Sequence, residues 1–172
     1  MNDLVMLAML LGGPKYGYQL KREAGWMLGQ DDLHNNTVYP LLRRFLDAGW
    51  VRKKAVPGER GQTRQQYAVT AKGRRTLIGR LSQISEAEAA SEEAFRIRVG
   101  LFPFLTREVQ ERVFTARESR LQRRDQALAA LQDKMDLGKF GGEIVRFMRK
   151  EIGNEQDWIR RLRRMAKTTP RS

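Results

Sequence analysis

The sequence predicts a mainly α-helical chain with a small β-wing, and three observations carry that prediction. Pro40 has no N–H and is tolerated in a first helical turn, so a helix is expected to begin near Asn36 or Thr37, both good capping types. Its tip then presents Asn35, Asn36, Thr37 and Tyr39, with Arg43 and Arg44 one turn on. Residues 50–56 and 65–70 read as two short antiparallel strands around the turn Pro57-Gly58-Glu59-Arg60-Gly61-Gln62-Thr63-Arg64. After Gly73 the apolar spacing is helical throughout. A polar helix tip, paired arginines and a basic hairpin together describe a winged helix-turn-helix, because a helix N-terminus already favours a phosphate. We place it over residues 1–84, with a helical domain over 85–172.

Each element has its own signal. Leu4 to Leu11 is apolar on every side, as in a helix buried by its own domain or by a second subunit, and Gly12-Gly13-Pro14 ends it. Tyr16-Gly17-Tyr18 opens a second helix with Leu20, Ala24, Met27 and Leu28 inward. In the third, Val38, Leu41, Leu42, Phe45 and Leu46 face the core, and Gly49 is the C′ glycine. Thr70 is expected to cap a helix carrying Leu77, Leu81 and Ile84. Phe95, Val99 and Phe102 fit a helix face, and we read that segment as helix because both neighbours are helical. Thr106 and Glu108 start a helix running to about Met135, with Phe114, Leu121, Leu128 and Met135 seven residues apart. Arg117 and Arg124 interrupt its second stripe, so we expect a largely wet arm. After Gly138–Gly142 a last helix carries Ile144, Met148, Ile152, Ile159, Leu162 and Ala166 on one face beside Trp158. That face is wide enough to pair with the first helix or with its own copy.

Charge narrows the class of partner. The chain has 172 residues, 33 Lys+Arg and 20 Asp+Glu, a net charge of +13 and pI ≈ 10.7. Residues 1–72 carry net +5 and residues 73–172 net +8. A polyanion is the expected partner, nucleic acid before an anionic membrane. With 0 Cys and 1 His, a thiol nucleophile, a disulfide framework and a cysteine-ligated zinc are excluded, and we expect no metal and no cofactor. There is no phosphate loop and no paired-carboxylate motif, so we expect no enzyme. The apolar run at the start lacks a basic leader and falls below the ~20 residues of a membrane span. A cytoplasmic protein is expected.

The candidate DNA-binding residues follow from the helix tip and the hairpin: Lys15, Asn35, Asn36, Thr37, Tyr39, Arg43, Arg44, Arg60, Gln62 and Arg64. Asn reads adenine well in the major groove, while one of the two asparagines also suits the cap. Arg43 and Arg44 point about 100° apart, so at most one is expected to reach bases. Arg60, Gln62 and Arg64 would touch the flanking backbone or the minor groove.

These residues resemble those of the PadR family of bacterial transcriptional regulators. Gly13-Pro14-x-x-Gly17-Tyr18-x-Leu20 is similar to the family's first turn. Val38-Tyr39-Pro40-Leu41-Leu42-Arg43-Arg44-Phe45 with Ala48-Gly49 is similar to its recognition helix, and Gln66-Tyr67-x-Val69-Thr70-x-x-Gly73 to its second wing strand. Further on, Phe104-Leu105-Thr106-x-Glu108 and Glu155-x-x-Trp158-Ile159-x-x-Leu162 resemble the larger subgroup with a long helical C-terminal domain. The position before Gly17, commonly His or Ser in the family, is Tyr16 here. The resemblance implies a homodimer joined through residues 85–172, binding a palindromic operator as a repressor that a small ligand, such as a phenolic acid, releases. The alternatives are a repressor answering to hydrophobic drugs, or a winged-helix protein-interaction module without an effector. An anionic aromatic ligand needs an apolar slot with a cation at its end, for which the sequence offers Tyr16, Phe95, Phe102 and Trp158 with Arg98.

Overall fold

In the computed structural model, residues 2–58 and 62–168 are described. The elements are α1 (Asn2–Met9), a 3₁₀ turn (Leu10–Gly12), β1 (Lys15–Tyr16), α2 (Gly17–Met27), α3 (Asn35–Asp47), β2 (Val51–Pro57) and β3 (Thr63–Val69). They continue with α4 (Ala71–Leu81), α5 (Glu86–Ala90), α6 (Glu92–Gly100), a second 3₁₀ turn (Phe102–Phe104), α7 (Arg107–Lys134) and α8 (Gly138–Thr168). The chain divides into two compact units, Met1–Gln83 with Arg96–Phe104, and Ile84–Phe95 with Leu105–Ser172.

In the first unit, α1 is buried on every side, as its apolar run requires: Leu4 to Ala8 and Leu10 are all 4% exposed or less. Val38, Leu42 and Phe45 turn the inner face of α3 into the same core with Leu20, Ala24 and Leu77. The end of α3 is a Schellman turn. Gly49 takes φ 69°, its N–H reaches Leu46 O at 2.9 Å, and Trp50 N–H reaches Phe45 O at 2.8 Å. That turn aims the chain into β2, and Trp50 rests against Phe45 with ring centroids 5.8 Å apart.

α3 starts at Asn35, close to the expected place, but its cap differs from expectation. Its cap is His34, and the first turn closes with Thr37 and Val38 N–H donating to His34 O at 2.8 and 3.1 Å. Pro40 therefore stands in the second turn, and Asn36 O forgoes its helical donor. Neither Asn36 nor Thr37 caps. Leu33 explains the earlier cap: its side chain is 2% exposed and its N–H is bound to Lys21 O, so the chain is already fixed against α2 before residue 34.

The sheet has three strands, in the order β1-β3-β2, where two were expected. β2 and β3 pair antiparallel from Val51↔Val69 to Pro57↔Thr63, and Lys15 and Tyr16 add a short edge through Lys15↔Tyr67 and Tyr16↔Gln66. A two-residue strand has no periodicity to read. Thr70 caps α4 as predicted, accepting from Gly73 N–H at 3.0 Å. The same hydroxyl donates to Gly49 O at 2.7 Å, with Trp50 O 3.1 Å away, while Thr70 N–H donates to Trp50 O. A Cβ on Gly73 would stand 2.1 Å from Trp50 O, so only glycine fits there.

In the second unit α7 and α8 form an antiparallel pair with α5 against α7. α7 is not wet along its whole length. Val109, Val113, Phe114, Arg117 and Leu121 are buried, and the exposed part begins after them. Arg117, expected to interrupt an apolar stripe, is 3% exposed and clamps Glu155 of α8 with two bonds of 2.7 and 2.8 Å, while its third nitrogen donates to Ala89 O at 2.9 Å. Paired in this way, a guanidinium fills a core position. α8 begins at Gly138, five residues before the expected start, and buries Val145, Ile152 and Ile159, whereas Ile144 is 55% exposed.

Two stability outcomes follow. Gly73→Ala should cost about 1–3 kcal/mol in urea unfolding, the range of an overpacked site. Arg117→Ala should cost about 3–5 kcal/mol because it leaves the Glu155 carboxylate without its partner, and Arg117→Met with Glu155→Met should recover most of that loss.

Candidate nucleic-acid interface

The outer face of α3 is set by helical arithmetic. Asn36, Tyr39 and Arg43 lie within about 60° of one another, opposite the buried Val38 and Phe45, and Arg44 lies about 140° from Tyr39. All four are exposed, as is Asn35, while Thr37 is half-buried at the flank. The helix thus offers one row of an amide, a phenol and a guanidinium, the types that read base edges and phosphates.

Beside that row is an open cleft of about 520 Å³ lined by all four tyrosines of the chain, Tyr16, Tyr18, Tyr39 and Tyr67, and by wing residues including Gln62 and Arg64. The short edge strand brings Tyr16 beside β3, and Tyr16 and Tyr18 stack nearly parallel with centroids 5.8 Å apart. Tyr39 crosses Gly17 so closely that a Cβ there would meet its ring at 3.3 Å. Tyr67 is buried, and burial, with the neighbouring Tyr39 phenol, pushes its hydroxyl above the usual 10. It therefore stays protonated at neutral pH and is a hydrogen-bond donor. Sequence reasoning named Tyr39, Gln62 and Arg64 but missed Tyr18 and Tyr67. Tyr18 carried a signal, an aromatic in the exposed first turn of α2; Tyr67 became visible only with the strand pairing.

The wing closes through Gly58 N–H donating to Gln62 O at 2.7 Å, and Arg52, Lys53 and Lys54 are exposed on β2. Arg60 lies outside the described residues. Lys15 is held in an ion pair with Glu23 at 2.8 Å. The two arginines of α3 differ. Arg43 has no carboxylate partner among the described residues, whereas Arg44 reaches Asp3 at 3.5 Å, and Asp3 also binds Arg80 at 2.8 Å.

The five aromatic-ligand candidates are dispersed between the two units. Tyr16 belongs to the wing cleft. Phe95 and Trp158 meet edge to face at 5.6 Å in the second unit, with the Arg117 guanidinium 5.8 Å from the Phe95 ring. Arg98 is 1% exposed in the first unit and donates to Gln83 O at 3.1 Å, and Phe102 is buried there. Among the described residues no group of His, Cys, Asp and Glu is arranged to hold a metal ion, and no helix is long and apolar enough to cross a membrane.

A helix with a polar outer row, a hairpin wing beside it and a basic surface make up a winged helix-turn-helix, an arrangement suited to duplex DNA. A sequence model of the transcriptional regulator PadR-like family matches residues 6–78, from α1 into α4. No curated protein matches the chain. Among solved structures, Bacillus subtilis PadR in complex with operator DNA is 18% identical over 95% of this chain and 98% of that one, with a TM-score of 0.46. The same protein in complex with p-coumaric acid is 18% identical over 96% and 98%, TM-score 0.40. TA0346 of Thermoplasma acidophilum, described as a transcriptional regulator, is 28% identical over 44% of this chain and 72% of that one, TM-score 0.41.

Asp3 makes stability depend on pH. Burial raises its pKa, but the hydrogen bond and charge of Arg80, helped by Leu4 N–H, outweigh that and leave it below 3.8. A depressed carboxylate stabilises the fold fully above its unfolded value near 4 and ceases to do so as pH falls through the folded value. Between pH 7 and 2, Asp3→Asn should therefore show a smaller loss of unfolding free energy than the wild-type chain, measured by urea denaturation at each pH.

Proposed function

We propose that the chain is a homodimeric repressor that grips a palindromic operator through two copies of residues 1–84, is held together by residues 85–172, and is released by a small aromatic ligand. The observation that carries the DNA reading is the row Asn36, Tyr39 and Arg43 beside the tyrosine cleft and the wing. In that reading Asn36 and Arg43 enter the major groove, where Asn matches adenine and Arg matches guanine. Tyr39, Gln62 and Arg64 hold the phosphates alongside, Asn35 and Thr37 flank the helix tip, and Arg60 extends the wing. Lys15 contributes charge only after leaving Glu23. The net charge of +13 supplies the salt-dependent attraction, and a DNA partner places the protein in the cytoplasm.

What supports the dimer is the apolar row that α8 leaves uncovered. Phe140, Ile144 and Phe147 are 83%, 55% and 59% exposed, spaced by four and three residues on one helix face, and Met135 at the end of α7 is 57% exposed. Three such side chains on one stripe are costly in water, and a second copy meeting the same stripe removes them by two-fold symmetry. For the ligand, Phe95 and Trp158 stay candidates as an aromatic pair in the second unit, where Phe95 is fully buried, and Tyr16, Arg98 and Phe102 remain candidates in the first unit. A phenolic acid is the proposed class.

Arg43→Ala with Arg44→Ala should abolish binding to a duplex selected by the wild-type chain from a random library; unchanged affinity would remove the assignment of α3 as the reading helix. Phe147→Asp should convert the protein to a monomer in sedimentation velocity and weaken binding to the palindromic duplex at least about tenfold, because the second half-site is no longer linked. Release of the bound duplex by phenolic acids, and not by cationic drugs of similar size, would identify the ligand class.

A further inference from the structure

The two adjacent arginines of α3 point to different sides of the helix, and one of them, Arg44, meets a carboxylate. Asp3, in the first turn of α1, has a side chain only 15% exposed, yet its Oδ2 is shared by Arg80 at 2.8 Å and Arg44 at 3.5 Å. Arg44 is itself 62% exposed, and Asp3 is the carboxylate its guanidinium reaches. Arg43 projects with Asn36 and Tyr39, about 100° around the helix from Arg44. A carboxylate placed at the root of a DNA-reading helix is unexpected on a chain of net charge +13, because it opposes the attraction to phosphate.

We infer that Asp3 is a positioning residue that holds Arg44 off the nucleic acid, so that Arg43 alone of the pair reads bases and the head does not cling to every duplex. The inference rests on the DNA-reading role proposed above. Its physical basis is a trade between two kinds of contact. Each extra guanidinium on a phosphate tightens all DNA equally and steepens the salt dependence by about one unit of slope, whereas a base contact favours one sequence. Binding Arg44 to Asp3 removes one phosphate-seeking charge and leaves the base-reading one in place. Arg80 keeps the carboxylate ionised and fixed on the flank shared by α1, α3 and α4. The sequence hides the device, because Asp3 and Arg44 are 41 residues apart.

The test is a double-mutant cycle on the full-length chain, using a duplex selected by the wild type from a random library and a scrambled duplex of the same length. Asp3→Asn should raise affinity for the scrambled duplex about three- to tenfold and steepen its salt slope by about one. Arg44→Ala should leave the selected duplex within about threefold of wild type, and adding it to Asp3→Asn should cancel the gain. Arg43→Ala should lose the selected duplex by about 100-fold. A melting curve on Asp3→Asn checks that the head is folded, and Asp3→Ser, with a shorter neutral side chain, should give the same gain. Asp3→Asn and Asp3→Ser both leaving the scrambled duplex unchanged, or Arg44→Ala costing as much as Arg43→Ala, would overturn the inference while DNA binding stands. Failure of the wild-type chain to select any duplex would overturn the DNA-reading role itself.

Discussion

The winged head depends on the contact between Thr70 and the end of α3. Gly49 and Trp50 follow the last turn of α3, and their carbonyls receive the Thr70 hydroxyl and amide before α4 begins. Gly73 lets that first turn of α4 close over Trp50 O at a distance no side chain would permit. The result is that α3, both wing strands and α4 share one joint of a few residues. A reading helix and a wing joined this way keep a fixed spacing, which is what matching two grooves of one duplex demands. The tyrosine cleft depends on the same joint, because Tyr39 is carried by α3 and Tyr67 by the strand that leads into Thr70.

Much of the fold was legible because its signals are local. The Thr70 cap, the Gly49 turn, the hairpin and the Thr106 start of α7 each follow from two or three neighbouring residues, and the structure has each of them. Three features were not legible, for separate physical reasons. The earlier cap of α3 is decided by Leu33 packing on α2, which no capping rule contains. β1 exists only because β3 offers an open edge. Arg117 looked like an interruption because its partner, Glu155, is 38 residues away. The candidate interface shows the same division, since the row on α3 follows from helical spacing, whereas the cleft needs strand register.

Charge is placed differently along the chain. In the second unit several arginines knit helices together: Arg117 holds Glu155, Arg163 bridges Glu111 and Glu118 while lying over Phe114, and Arg149 pairs with Asp125. In the first, Arg43 and the β2 run Arg52, Lys53 and Lys54 are exposed, with no carboxylate partner among the described residues.

If α3 and the wing act as one reader, they respond to a bound duplex together. Amide hydrogen exchange of the full chain, free and saturated with a duplex it has selected, measures that response. Exchange should slow together over residues 35–47 of α3 and 63–69 of β3. Slowing confined to α7 and α8, with α3 and the wing unchanged, would contradict it.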